Sequence, residues 1–214
     1  MATEPQNAFT VPADDRAGVL AAAAYELLDE YGLEGLTIRA VLARTGLARR
    51  AFYECYTSKD DLVLAVFART LQRAAEHFGE VAGRLAAPLD RLRVIVDGIV
   101  LGMVPPERAE REGGERRSAA LSREHLRLAE ARPDELEAAL RPLLALIAAQ
   151  VEAGIADGSI RPCDPALTAS LIYNLVSTTT HGVQLAEEAA RPDPARRAAL
   201  SAAMWEFCRR AIVA

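Results

Sequence analysis

Between residues 45 and 62 the chain reads TGLARRAFYECYTSKDDL, and four side chains there carry groups that bind phosphates or base edges: Arg49, Arg50, Tyr53 and Lys59. An arginine fork pairs bidentately with guanine O6 and N7, a tyrosine lies on a thymine methyl or donates to a phosphate, and a lysine offers a point charge. Their spacing is that of one helix face. At about 100° per residue, with Arg49 at 0°, Tyr53 falls near 40° and Arg50 near 100°, while Ala48, Ala51, Phe52 and Cys55 fall between about 200° and 300°. Polar groups would face out and small or apolar ones in. Glu54, near 140° on the same scale, either accepts from a cytosine amine or sits at a solvated rim. The competing reading is that Arg49 and Arg50 are ordinary surface charges.

Lys59 is the only lysine among 25 basic residues. It stands at the first position of a helix that Ser58 opens with Asp61 three residues on, a capping-box spacing. A cation there meets the positive end of the helix dipole, unfavourable by a few tenths of a kcal/mol. Beside unpaired backbone N–H groups, such a placement suits a phosphate.

The surrounding charge supports this division. The whole chain carries −5, yet residues 37–59 hold Arg39, Arg44, Arg49, Arg50 and Lys59 against Glu54, a local +4 that leaves −9 for the remainder. A basic head on an acidic body implies that only the head meets an anion.

The elements that must position these groups are helical throughout. Apolar residues recur at three and four, and no alternating run bounded by turn residues appears, so an all-α fold of about nine helices is expected. Leu20, Ala23, Ala24, Leu27, Leu28 and Tyr31 form the stripe of a first helix ended by Gly32. A second short helix follows Thr37 as N-cap and stops at Thr45-Gly46; a third runs about 48–56. Three short helices with a glycine between the last two describe a helix-turn-helix, in which Gly46 takes positive φ and Leu47 packs behind the turn. The predicted organisation is an arm at 1–13 without order, a DNA-binding domain at 14–62, a connecting fourth helix at 58–84, and a ligand-binding and dimerisation domain at 63–214.

Further helices are expected from Pro88 to Pro105-Pro106, then near 118–131, 133–157 (kinked at Pro142), 165–188 and 194–213. The run PPERAEREGGERR, residues 105–117, has no apolar stripe and reads as an exposed connection. Cys55, Cys163 and Cys208 share no ligand or disulfide spacing, so neither a metal nor a cofactor is expected. The N-terminal residues lack a signal-peptide pattern, and the run LRVIVDGIVLGMV is shorter than the roughly 20 residues of a membrane span. No membrane role and a cytoplasmic location are the corresponding expectations.

From Ala22 to Leu62 the chain resembles the TetR (tetracycline repressor) family of bacterial transcriptional regulators. The resemblance is carried by Tyr31-Gly32, Leu36-Thr37-Ile38-Arg39, the Gly46 turn, Phe52-Tyr53, and Ser58-Lys59-Asp60 with Leu62. It implies a DNA-facing set of Thr37, Arg39, Gly46, Leu47, Ala48, Arg49, Arg50, Tyr53, Tyr56 and Lys59. Ala48 departs from the Ser or Thr common at the third-helix cap, and Cys55 from a common Tyr or His.

For the acidic body the resemblance implies a homodimer packed through its last two helices, and a small-molecule pocket. The dimer residues would be Leu171, Leu175, Thr179 and Val183 on the eighth helix, with Leu200, Met204, Phe207 and Ile212 on the ninth. Polar residues set among apolar ones point to the pocket: Met103 beside them, then His125, Tyr173, Asn174, Thr178 and His181. Aromatic residues are 5% of the chain, which favours a lipophilic effector. The function expected is a homodimeric repressor released from a palindromic double-stranded operator by a small-molecule effector. Two alternatives are a DNA-binding regulator without an effector, and an all-α enzyme on a lipophilic substrate, the latter lacking any nucleophile elbow, metal spacing or phosphate loop.

Overall fold

The computed structural model describes residues 15–102, 114–188 and 193–214. Their helices are α1 (Arg16–Gly35), α2 (Ile38–Thr45), α3 (Arg49–Cys55), α4 (Lys59–Ala82), α5 (Pro88–Leu101), α6 (Gly114–Ala131), α7 (Pro133–Ala156), α8 (Pro165–Glu188) and α9 (Pro194–Ile212). Among the described residues the only extended pairing is one antiparallel bridge, Ile160 with Val213, so the all-α expectation holds. The chain divides into two compact units after Val66. The expected arm at 1–13, Met103 and residues 105–113 of the expected connection lie outside the described residues.

In the first unit α1 packs on α2 and α3 around Leu20, Leu28, Leu36, Val41 and Phe52, each fully buried. The alternation of leucines and alanines in α1 lets the two short helices approach closely, and burial of each large side chain contributes about 1.5–3 kcal/mol. The α1 backbone breaks at Gly32, where φ is 66° and ψ is −165°, and one further turn carries it to Gly35. Only glycine reaches that conformation without strain.

In the second unit α5 packs against α7, α8 and α9, α6 against α7 and α8, and α7 against α8. Leu92, Ile95, Val96, Leu128, Leu143, Ile147, Val151 and Val176 form its buried core. A Cβ added to Gly98 would stand 2.4 Å from Phe78 Cε1, so the absence of a side chain on α5 makes room for that ring.

Two boundaries differ from expectation. α5 ends at Gly102, which adopts φ 68°, ahead of the two prolines expected to stop it. α6 begins at Gly114, inside the run read as a connection. Pro142, the expected kink site, lies inside α7, whose span matches the expected 133–157 to one residue. α7 is also long and apolar enough to cross a membrane by length and composition, but its Leu136, Leu143, Ile147 and Val151 are buried in the unit, as in a core helix. Among the described residues no three of His, Cys, Asp and Glu cluster as a metal site would require.

Candidate functional site

The turn between α2 and α3 is set by local hydrogen bonds. Thr37 Oγ1 accepts from the Ala40 amide at 3.1 Å and so caps α2. Gly46 takes φ 70° and donates its amide to Leu42 O at 2.9 Å, closing the helix in the left-handed conformation. Thr45 Oγ1 donates to Val41 O and accepts from the Leu47 amide, which holds the chain as it enters α3. Leu47 is half-buried behind the turn.

On α3 the angular expectation is met for most positions. Ala51 and Phe52 are buried, while Arg49, Arg50, Tyr53 and Glu54 are exposed. Ala48 is the exception: it is exposed, because it is the N-cap with extended backbone (φ −70°, ψ 151°), and the helical angle does not apply outside the helix. It supplies no side-chain cap, as its methyl group requires.

The outward groups are held in a pattern that spacing alone did not show. Arg49 Nη2 donates to Tyr53 Oη at 3.2 Å and its guanidinium lies 5.6 Å from the Tyr53 ring centre. Arg50 Nε donates to Glu54 Oε1 at 2.9 Å, and Arg16 of α1 donates to the other oxygen of Glu54 at 3.1 Å. Glu54 thus links α3 to α1. Glu54 stays exposed at a solvated rim, with Arg16, 38 residues away in sequence, as a partner. The Arg50 side chain remains 90% exposed, so its pair with Glu54 is an easily exchanged surface bond. Thr37 and Arg39 are also exposed.

Two expected DNA contacts have internal partners. Tyr56 is redirected: its hydroxyl donates to Ala17 O at 3.0 Å, tying the end of α3 to the start of α1. Lys59, first residue of α4, sends Nζ to Leu33 O at 3.2 Å. The ammonium therefore leaves the positive end of its own helix and meets the carbonyl end of α1, where a cation is favoured. Ser58 Oγ accepts from the Asp61 amide at 3.1 Å as its spacing predicted, while the Asp61 carboxylate also accepts from the Thr57 hydroxyl.

In the second unit His125 of α6 comes together with Tyr173 and His181 of α8. Ring centres are 4.7 Å apart for His125 and His181, 6.2 Å for His125 and Tyr173, and 5.8 Å for His125 and Phe67. Burial lowers the pKa of both histidines, and His181, further opposed by His125, falls to about 4; burial pushes the Tyr173 phenol up. Asn174 and Thr178 do not join them. Both are exposed, on the side of α8 that carries Leu171 and Leu175, since positions one and five past Tyr173 turn about 100° or more away from it. Asn174 instead lines, with Tyr173, Leu136, Leu140 and Leu144, an open groove of about 240 Å³.

The expected dimer face divides. Leu171 and Phe207 are 62% and 65% exposed, Leu175 is exposed, and the three line one apolar groove of about 340 Å³. Thr179, Val183 and Leu200 are half-buried. Met204 and Ile212 are corrected: they are buried within their own unit with Cys208, so α9 turns those positions inward and only Phe207 outward.

Such a surface, presented by a glycine-turned helix pair on a three-helix core, defines a helix-turn-helix DNA-binding domain. Residues 20–66 match the family model described as "Bacterial regulatory proteins, tetR family", a family of DNA-binding transcriptional regulators. An uncharacterized HTH-type transcriptional regulator of Bacillus subtilis (strain 168), YezE, is 33% identical over 90 residues; these are 41% of this chain and 45% of the relative, so the alignment spans less than half of each. Solved structures share the fold over nearly the whole chain. A TetR-family regulator from Pectobacterium atrosepticum superposes with TM-score 0.72 at 20% identity, over 94% of this chain and 95% of its own. One from Agrobacterium tumefaciens gives 0.62 at 24% over 95% and 100%. The regulator FadR of Bacillus subtilis, in complex with stearoyl-CoA, gives 0.67 at 17% over 89% and 96%.

Proposed function

We propose that the protein is a homodimeric transcriptional repressor, working in the cytoplasm, which binds a palindromic operator and is released by a small apolar effector. The observation that carries the reading is the solvent-facing side of α3, where Arg49, Arg50 and Tyr53 stand on a rigid three-helix core with only exchangeable partners. In the major groove Arg50 exchanges Glu54 for a base edge, Arg49 and Tyr53 approach the backbone or a thymine methyl, and Thr37, Arg39 and Lys59 flank them toward phosphates. Lys59 keeps N–H groups for a phosphate while holding Leu33 O.

A second copy supplies the other half-site. Exposed Leu171, Leu175 and Phe207 favour pairing through α8 and α9, because an apolar groove of that kind is costly to leave in water. Recognition helices about 34 Å apart fit successive grooves, and an effector that alters their separation would release the operator. The effector site of this reading is the His125, Tyr173 and His181 cluster; the stearoyl-CoA held by FadR of the same fold supports an apolar ligand.

Selection of bound sequences from a random DNA pool tests the assignment. An inverted repeat with half-site centres one helical turn or a multiple apart is expected, and recovery of no consensus would overturn it. Sedimentation velocity on the purified protein should give a dimer of 23.0 kDa chains.

A further inference from the structure

α8 carries five polar side chains on one face: Tyr173, Ser177, Thr180, His181 and Gln184, which fall within about 100° of arc. At one end of this seam the polar groups are satisfied, Ser122 of α6 donating to Gln184 Oε1 at 2.6 Å. In the middle they are not. His125 Nδ1, His181 Nδ1, Ser177 Oγ and Thr180 Oγ1 are all buried without a hydrogen-bond partner, and Ser177 and Thr180 are 2% and 5% exposed. The neighbouring Ser177 hydroxyl partly offsets the burial of the Tyr173 phenol without reaching hydrogen-bond geometry.

The same helix shows that this is not the ordinary habit of its hydroxyls. Ser170 donates to Ala166 O and Thr179 to Leu175 O, the local bonds that helical Ser and Thr make when nothing else calls for them. Ser177 and Thr180 forgo those bonds inside the unit, where an unmet polar group costs most. Three unmet atoms on one face of α8 and a fourth on α6, with the Phe67 ring 5.8 Å from His125, mark a place for a ligand's polar head rather than a packing defect.

The charge of that head follows from what faces it. Both imidazoles are neutral at pH 7, offering one donor and one acceptor each, and the hydroxyls offer either. Among the described residues the one buried carboxylate of α6, Glu124, has both oxygens engaged by Arg127, at 3.2 and 3.0 Å from Nε, and cannot serve as counter-ion. A charged head would enter without an opposite charge, whereas a hydroxyl or carbonyl would find donors and acceptors on both helices.

We propose that the seam between α6 and α8, with Ser177 and Thr180 as direct contacts beside His125 and His181, binds an apolar molecule through a single uncharged hydroxyl or carbonyl head. This deepens the effector reading above and rests on it for its biological sense, but not for its chemistry.

Isothermal calorimetry on the full chain at pH 7.5 tests it with matched six- and ten-carbon compounds: the alkan-1-ol, the alkan-2-one, the alkanoate and the alkyltrimethylammonium. The alcohol or ketone should bind at least tenfold tighter than both ions of equal length. The double variant Ser177→Ala with Thr180→Val should lose about tenfold of that affinity while its thermal midpoint stays or rises, since a merely structural pair of hydroxyls would leave binding unmoved. Equal or tighter binding of an ion, no binding by any compound, or unchanged ketone affinity in the variant each overturns the proposal. Operator titrations run in parallel keep the two readings apart: a neutral compound that binds without releasing DNA supports the seam and sinks the effector role.

Discussion

The two units handle polar groups in opposite ways. In the first, the polar side chains lie outside and have partners: Arg44 with Glu30 at 2.7 Å, Arg50 with Glu54, Arg49 with Tyr53, Thr37 with the end of α2. In the second, several polar atoms lie inside and lack them, as at His125, Ser177, Thr180 and His181. Exposed pairs are worth under about 1 kcal/mol, so they break readily when a phosphate or base edge competes. Buried unmet groups cost about 1–3 kcal/mol each, which a bound ligand can return. A surface interface can hold itself in order while waiting; an interior one waits at a cost in stability.

Removing the rigid support should have the largest effect. Phe52→Ala empties a fully buried position and should destabilise the first unit by about 3–5 kcal/mol, abolishing operator binding while α5–α9 keep a separate urea transition. A single unaltered transition would break the distinction between the units. Arg50→Ala should leave the urea midpoint within about 0.5 kcal/mol of wild type yet remove about 1–3 kcal/mol of discrimination between cognate and altered half-sites, read by competition titration.

Thr180→Val should stabilise the second unit by about 1 kcal/mol, the reverse of the usual sign for a core substitution, because it removes an unmet hydroxyl without changing volume much. Loss of stability would show that the hydroxyl has a partner after all. Acid should act on the same seam. His181 has a folded pKa near 4 against 6.5 unfolded, so its contribution is complete above pH 6.5 and is lost progressively as pH falls toward 4; His125 acts in the same direction. His181→Phe should flatten that part of the stability profile, measured by urea midpoints from pH 7.5 to 4.5. The smallest effect is expected from Lys59→Ala: binding weakened alike on all sequences, and the slope of log affinity against log salt reduced by about 1.

Much of the DNA-facing domain was readable because its signals are local. Gly46 must turn, Thr37 must cap, and Phe52 must face opposite Arg49, all within reach of a few residues and all observed. What could not be read there depends on distant partners: Lys59 meets Leu33, Tyr56 meets Ala17, and Glu54 meets Arg16, at separations of 26, 39 and 38 residues. No periodicity reports such a neighbour.

In the body, periodicity revealed that α8 and α9 have faces but not how far around each helix the neighbours reach. Leu171 and Ile172 look alike in sequence, as do Met204 and Phe207, yet the first of one pair and the second of the other are exposed. Asn174 and Thr178 fell outside the polar seam and Ser177 and Thr180 inside it for the same reason. Helix identity, caps and turns are short-range properties that the order of residues settles alone. Which polar atom is buried without a partner depends on every helix packed around it, and only the folded chain decides that.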